Sequence, residues 1–190
     1  MTSPTIAVRV RGVAKSFGGT RILENIDVEI AAGTVHALVG ENGAGKSSLG
    51  KIIGGYYTPD EGEVEILGTR VARFSPRDAL ALGVAMIHQE LQLAPELNVV
   101  QNVFLGRESQ RAGILVGGDA ARFAALEEAC DFGIDPLAKV ASLRIAERQK
   151  VEIMRAIARE AQVIIMDEPT SSLTEDEADR LHEVIRRLKG

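Results

Sequence analysis

The chain has 190 residues and a mass of 20.4 kDa, which suits one globular domain or a core carrying a smaller subdomain. Hydrophobic residues make up 45% and charged residues 26%, so a disordered chain is excluded. A net charge of −5 without a basic stripe argues against nucleic acid, and no nucleic-acid partner is expected. The single cysteine, Cys130, cannot close an internal disulfide, and no Cys/His cluster suggests structural zinc. Met1–Val13 lacks the apolar stretch of a signal peptide, and apolar runs such as Val163–Met166 are far shorter than a membrane span. A soluble cytoplasmic domain is therefore the first expectation.

Along the chain, Ile6, Val8 and Val10 alternate with Ala7, Arg9 and Arg11. Ile26, Val28 and Ile30 alternate with Asp27 and Glu29, and Val64 and Ile66 with Glu63 and Glu65. This period of two predicts half-buried antiparallel strands. Val35–Val39 and Val163–Met166 are continuous apolar runs, which predicts strands buried on both faces, as in a parallel sheet. Ser75, Pro76 and Asp78, with Gly83 beyond, give the start and stop of a helix. Gly106–Gly118 reads as a loop. Asp119 is expected to cap a helix that runs to Cys130 with Phe123, Leu126 and Cys130 on one face, and Gly133 to stop it. Val151, Met154, Ile157 and Ala161 recur at helical spacing over 147–161. Thr174 with Glu177 makes a capping box for a last helix with Ala178, Leu181, Ile185 and Leu188 inward. The order predicts an α/β core, residues 1–90 and 155–190, with an antiparallel β part and an inserted helical subdomain over 91–154.

Gly40-Glu41-Asn42-Gly43-Ala44-Gly45-Lys46-Ser47 fits G-x-x-x-x-G-K-[ST] between a predicted buried strand and a helix at about Lys46–Ile53. A polyphosphate is held best by converging backbone N–H groups, and side chains would block its approach. Gly43 and Gly45 permit the required backbone path, so Gly40, Asn42, Gly43, Ala44 and Gly45 are candidate phosphate-loop residues. The helix start favours anions, Lys46 adds a point charge for the β- and γ-phosphates, and Ser47 offers a hydroxyl to Mg²⁺. Val163–Met166 ends in Asp167-Glu168, where ligands of open α/β sheets collect. Asp167 is placed to hold Mg²⁺ through water and Glu168 to polarise an attacking water.

Four segments together resemble the ABC transporter ATPase family: Gly40–Ser48, Gln89 within Met86–Leu91, Leu143–Gln149, and Asp167–Thr174. Ile87–Leu91, Asn102–Glu108 and Val151–Ile153 are similar to the first half of bacterial monosaccharide importers of the ribose, galactose and xylose type. The resemblance implies a P-loop NTPase core with a mainly parallel sheet, an antiparallel β subdomain and a helical insertion, and ATP hydrolysis with Mg²⁺. It implies that Gln89 touches Mg²⁺ and the water and reports nucleotide state, that Phe17 stacks on adenine, and that Ser48 assists at the α-phosphate. Ser171–Thr174 would face a second ATPase domain, in the same chain or a dimer. The expected partners are membrane permease subunits and, indirectly, a periplasmic sugar-binding protein, with the ATPase peripheral on the inner face of the cell membrane.

Two departures stand out. The family signature begins Leu-Ser-x-Gly, but here it reads Leu143-Arg144-Ile145-Ala146, so Arg144 and Ala146 replace the serine and glycine. Arg144 could pair with phosphate or be a solvated charge, and weak capping of the partner's nucleotide is expected. The family also has a switch histidine on a strand after the last helix, whereas His36, His88 and His182 all lie elsewhere. The expectation is an N-terminal, C-terminally truncated fragment with weak or no turnover alone. A non-transport ABC ATPase and a nucleotide-binding module without useful turnover are the alternatives.

Overall fold

The period-2 segments form strands and the 3.6-period segments form helices in the computed structural model, which describes residues 5–111, 114–115, 117–168 and 174–188. In chain order come β1 (Ile6–Phe17), β2 (Thr20–Ala31), α1 (Lys46–Ile53), β3 (Glu61–Ile66), β4 (Thr69–Val71), α2 (Pro76–Ala81) and β5 (Val84–Ile87). Then follow α3 (Val99–Val103), β6 (Gln110–Arg111), β7 (Ile114–Leu115), α4 (Asp119–Cys130), α5 (Ile145–Ala158), β8 (Val163–Met166) and α6 (Glu175–Leu188). They group into two units. One is Met1–Met86 with Gln162–Ile165 and Leu188–Gly190; the other is Ile87–Ala161 with Met166–Arg187.

In the first unit the three alternating segments and β4 form an antiparallel sheet in the order β2-β1-β3-β4. Gly18 and Gly19, both at positive φ, make the two-residue turn that matches the twist of β1 and β2. Val10 faces Val28 on one neighbour and Val64 on the other. Val8, Val10, Val13, Val64 and Ile66 are buried, joined by Leu49, Ile52 and Ile53 of α1 and by Ala79 of α2. On the polar face Arg9 stands opposite both Glu29 and Glu65 and bonds to each, at 2.6 and 3.1 Å. These cross-strand pairs fix the register that burial of the valines requires. Ser75 and Asp78 cap α2 reciprocally, as expected.

β5 and β8 form a two-stranded sheet. Gly83 O accepts from Val163 N–H, and four residues on along both strands Ile87 O accepts from Asp167 N–H, so the strands are parallel. Gly50 of α1 lies against β8: a Cβ there would come 3.2 Å from Ile165 Cγ2. The other expected buried strand does not form. Residues 34–40 join none of the described sheets, and Val35 and Val39 are 64% and 90% exposed. An apolar run becomes a strand only where a sheet edge receives its backbone groups, and none of the described strands receives this one.

In the second unit α5 packs against α3 and α4. Val99, Val103, Phe104, Phe123, Phe132, Val151, Met154, Leu181 and Val184 are buried, and Cys130 with them. Burial pushes the Cys130 thiol up to about 11, so it packs as a small apolar residue. Three local expectations change here. Gly118, not Asp119, precedes α4; the Asp119 carboxylate instead accepts from Ser109 N–H and Oγ–H and pairs with Arg122. Asp131, at φ 53, ends the helix before Gly133 is reached. The stretch read as a plain loop contains the short antiparallel pair β6 and β7. The helix expected over 147–161 runs Ile145–Ala158. The Thr174–Glu177 capping box is present: Glu177 Oε2 accepts from Thr174 N–H at 3.1 Å, and Thr174 Oγ1 from Glu177 N–H at 3.4 Å. Leu181 and Val184 are its most buried side chains; that of Leu188 lies outside the described residues.

Lys150 on α5 is buried and donates to Glu177 at 3.0 Å. That ammonium, with the Thr174 N–H, holds the Glu177 carboxyl at about 2. The folded value lies below the ordinary 4.5, so the contribution to stability is full above 4.5 and is lost as pH falls toward 2. Glu177→Gln is expected to cost about 1.5–3 kcal/mol at neutral pH. Urea unfolding at a series of pH values should show the gap to wild type closing between pH 4.5 and about 2. A gap independent of pH would remove this pair from the acid response.

Candidate nucleotide site

The phosphate-type loop belongs to the first unit. Gly43 and Gly45 sit at φ 86 and 84, in the left-handed region that glycine enters without strain. Ala44 N–H donates to Glu41 O at 3.1 Å and closes the turn between them. Gly45 is needed twice: it stands immediately before α1, and a Cβ there would lie 2.5 Å from Leu23 Cδ2 and 3.1 Å from Ile22 O. At Gly43 the same atom would meet nothing within 4 Å. The chain therefore enters α1 as the sequence predicted, and the first-turn N–H groups of any α-helix point forward without intrahelical acceptors. Lys46 Nζ bridges the loop, donating to Gly40 O at 2.7 Å and Glu41 O at 2.8 Å. Ser47 is exposed and Ser48 half-buried.

Phe17, at the end of β1, is 39% exposed and meets Tyr57 edge to face with ring centres 5.0 Å apart. Lys15 Nζ lies 5.6 Å from the Phe17 ring centre and is tied by a 2.6 Å bond to Asp60. The ring is thus held by contacts that leave part of its surface open. Nothing in the sequence pointed to Tyr57, because the contact joins residues 40 positions apart with no shared pattern.

The acidic strand end belongs to the second unit, and Gln89 is with it. Asp167 N–H donates to Ile87 O at 3.1 Å. Two residues past Ile87, Gln89 Nε2 donates to Glu168 Oε2 at 3.3 Å. The structure therefore brings together two residues that the sequence could associate only by motif. Glu168 holds φ at 53, a conformation that costs a non-glycine residue about 1–3 kcal/mol. Turning Nε2 toward Glu168 leaves the Gln89 amide oxygen as the acceptor. That oxygen, the Asp167 carboxylate and the Ser47 hydroxyl are hard oxygen donors of the kind Mg²⁺ takes, so the residue types fit the ion.

Arg144 stands immediately before α5. Its N–H donates to Glu147 Oε2 at 2.8 Å and its guanidinium to Glu147 Oε1 at 3.1 Å. Of the two roles open for Arg144, the structure displays a surface ion pair at a helix start, with the side chain 76% exposed. Glu147 is the partner that sequence reading missed; its signal was the three-residue spacing of a capping box. Arg148 donates to Leu143 O and Ala141 O and fixes the turn before this segment. Ser171, Ser172 and Leu173 lie outside the described residues, while Thr174 caps α6.

A family profile described as ABC transporter matches residues 23–171, which include the phosphate loop, Gln89 and the acidic strand end. The chain belongs to the ABC transporter family. It is 47% identical to a ribose import ATP-binding protein of Chromobacterium violaceum, over 96% of this chain and 37% of that protein. A second ribose import ATP-binding protein, from Rubrobacter xylanophilus, is 48% identical over 95% of this chain and 36% of its own length. The chain thus spans little more than a third of these relatives. Among solved structures it is similar to a nucleotide-free ATP-binding cassette from an ABC transporter, with a TM-score of 0.84, 23% identity, and coverage of 97% of this chain and 77% of that one. The ADP conformation of an ABC transporter's ATP-binding cassette gives 0.83 at 25% identity, covering 97% and 77%. The P-loop ATPase fold expected of this ABC chain is therefore present, with its antiparallel and parallel sheets.

Gly43 and Gly45 offer a controlled comparison, since alanine suffers the same backbone strain at both. Gly45→Ala must also displace the buried Leu23, which should cost about 1–3 kcal/mol more than Gly43→Ala. Urea midpoints of the two variants without nucleotide measure the difference, and equal midpoints would show that Leu23 does not fix the loop.

Proposed function

We propose that this ABC chain is the ATP-hydrolysing part of a sugar importer. The observation that carries the reading is the phosphate loop: two left-handed glycines opening directly into α1, with Lys46 folded across the loop carbonyls. The amides of Gly40–Ser47 hold the β- and γ-phosphates of ATP, Lys46 leaves the Gly40 and Glu41 carbonyls for them, and Ser48 assists at the α-phosphate. Phe17 offers its open face to the adenine. Ser47, Gln89 and Asp167 would hold Mg²⁺, which when bound would neutralise charge on the phosphate oxygens. Glu168 accepts a hydrogen bond from water and orients it in line with the γ-phosphate, and the Gln89 amide steadies the Glu168 carboxylate. Catalysis is positioning and charge neutralisation, with little covalent work for the protein.

A second ATPase domain, in the same chain or a dimer, completes the site. Membrane permease subunits couple its closure to sugar passage and receive the sugar from a periplasmic binding protein, so the ATPase works at the inner face of the membrane. The similarity to ribose import ATP-binding proteins supports this assignment. No helix among the described residues is long and apolar enough to cross a membrane. With Arg144 paired to Glu147, the Leu143–Gln149 segment caps a partner's nucleotide weakly.

The test is a pair of substitutions in the full-length protein assembled with its permease. Lys46→Ala should abolish measurable ATP binding. Glu168→Gln should keep binding and lower turnover by about 10²–10⁴-fold, the worth of a positioned base. Unchanged ATP affinity in Lys46→Ala, or undiminished turnover in Glu168→Gln, would overturn the assignment.

A further inference from the structure

The segment after Gln89 has no regular secondary structure until α3 begins. At Gln92 and Ala94, side chains take up the backbone groups. Gln92 N–H donates to Glu152 Oε1 at 2.6 Å, and Gln92 O accepts from Arg155 Nη1 at 2.7 Å. The same two side chains bond to each other, Arg155 Nη2 to Glu152 Oε2 at 2.7 Å, with only 11% and 4% of the side chains exposed. Two residues on, Asn102, fully buried, repeats the device on Ala94: its Oδ1 accepts from Ala94 N–H at 2.7 Å and its Nδ2 donates to Ala94 O at 3.0 Å.

On its other side, Gln89 is preceded by Ile87, whose carbonyl accepts from Asp167 N–H. Gln89 therefore sits in a span of four residues, 88–91, stretched between two anchors. One anchor is the strand that carries Glu168. The other is the Glu152–Arg155 pair of α5, the helix whose start is the Arg144–Gln149 segment. A short span between fixed ends has little freedom, and loosening one end lets the side chain drift from its partner. Buried charges are costly unless paired, and this pair is matched to the backbone N–H and C=O of one residue, Gln92.

We propose that Glu152 and Arg155 are positioning residues for Gln89: by gripping the Gln92 peptide they hold the Gln89 amide on Glu168. The proposal rests on the hydrolytic reading above. Its consequence is specific. Loss of the grip lowers turnover at saturating ATP while leaving ATP affinity alone, because neither residue belongs to the phosphate loop.

The experiment is a double-mutant cycle on ATP turnover in the full-length protein with its permease. Arg155→Ala should lower kcat about tenfold or more, since small misplacements near the reacting groups are costly. ATP affinity should stay within about twofold, and hydrogen exchange of the 92–94 amides should accelerate. In a Gln89→Ala background the same substitution should change kcat less than about twofold, because the side chain it positions is gone. Multiplicative losses, or an unchanged kcat in Arg155→Ala, would overturn the proposal. If Arg155→Ala does not fold, Arg155→Lys keeps the charge on Glu152 but gives up the fork. Its smaller loss should likewise vanish in the Gln89→Ala background, and persistence there counts against the proposal. Glu168→Gln, run alongside, separates the two readings. Full turnover there overturns hydrolysis and positioning together; a loss there with an intact Arg155→Ala overturns positioning alone.

Discussion

A charge removed from water has to be paired, and α5 takes Lys150 and Glu152 out of water within one turn. Lys150 finds Glu177 on α6, and Glu152 finds Arg155 and the Gln92 peptide. These obligations fix the irregular parts of the second unit. α6 begins where the Glu177 carboxylate serves both the Thr174 cap and the Lys150 ammonium. The segment beyond Gln89 follows a path set by side chains of α5 and α3, since it lacks a ladder of its own. Replacing the pairs by apolar residues could keep the packing, but it would release the loop they hold.

The phosphate loop obeys a different constraint. Its shape comes from glycines at φ values that other residues pay for with strain, and from Leu23, whose bulk leaves no room for a side chain at Gly45. The buried face of α1, through Ile52 and Ile53, then anchors the start of the helix to the valines of the antiparallel sheet. On the proposed reading, Lys46 would exchange the Gly40 and Glu41 carbonyls for phosphate oxygens.

Conformational strain and hydrogen bonding meet at Glu168. Two residues after β8, the chain turns to positive φ at Glu168 and meets the Gln89 amide. A base at that place works only if its carboxylate is held, and Gln89 is held in turn through the grip on Gln92. On the proposed reading, ATP affinity would rest chiefly on the phosphate loop and turnover on Glu168 and its supports, so substitution can separate them.

The sequence by itself determined the antiparallel strands, since alternation leaves only one face to bury. It determined the start of α1, because Gly43 and Gly45 take without strain the left-handed turns that lead into it, and the caps at Ser75 and Thr174, which are local bonds between residues three apart. The motif also named Lys46, Gln89, Asp167 and Glu168. Tertiary structure decided what depends on partners distant in the chain. Among the described residues it left Val35–Val39 without a neighbouring strand, which no property of those five residues could foretell. It set Tyr57 against Phe17 and gave the Asp119 carboxylate to Ser109 and Arg122 in place of a cap. It also closed Glu152 and Arg155 on a peptide some 60 residues away. Local periodicity fixes which face of an element is apolar. Which polar group meets which is settled only when burial forces each buried donor and acceptor to find a match.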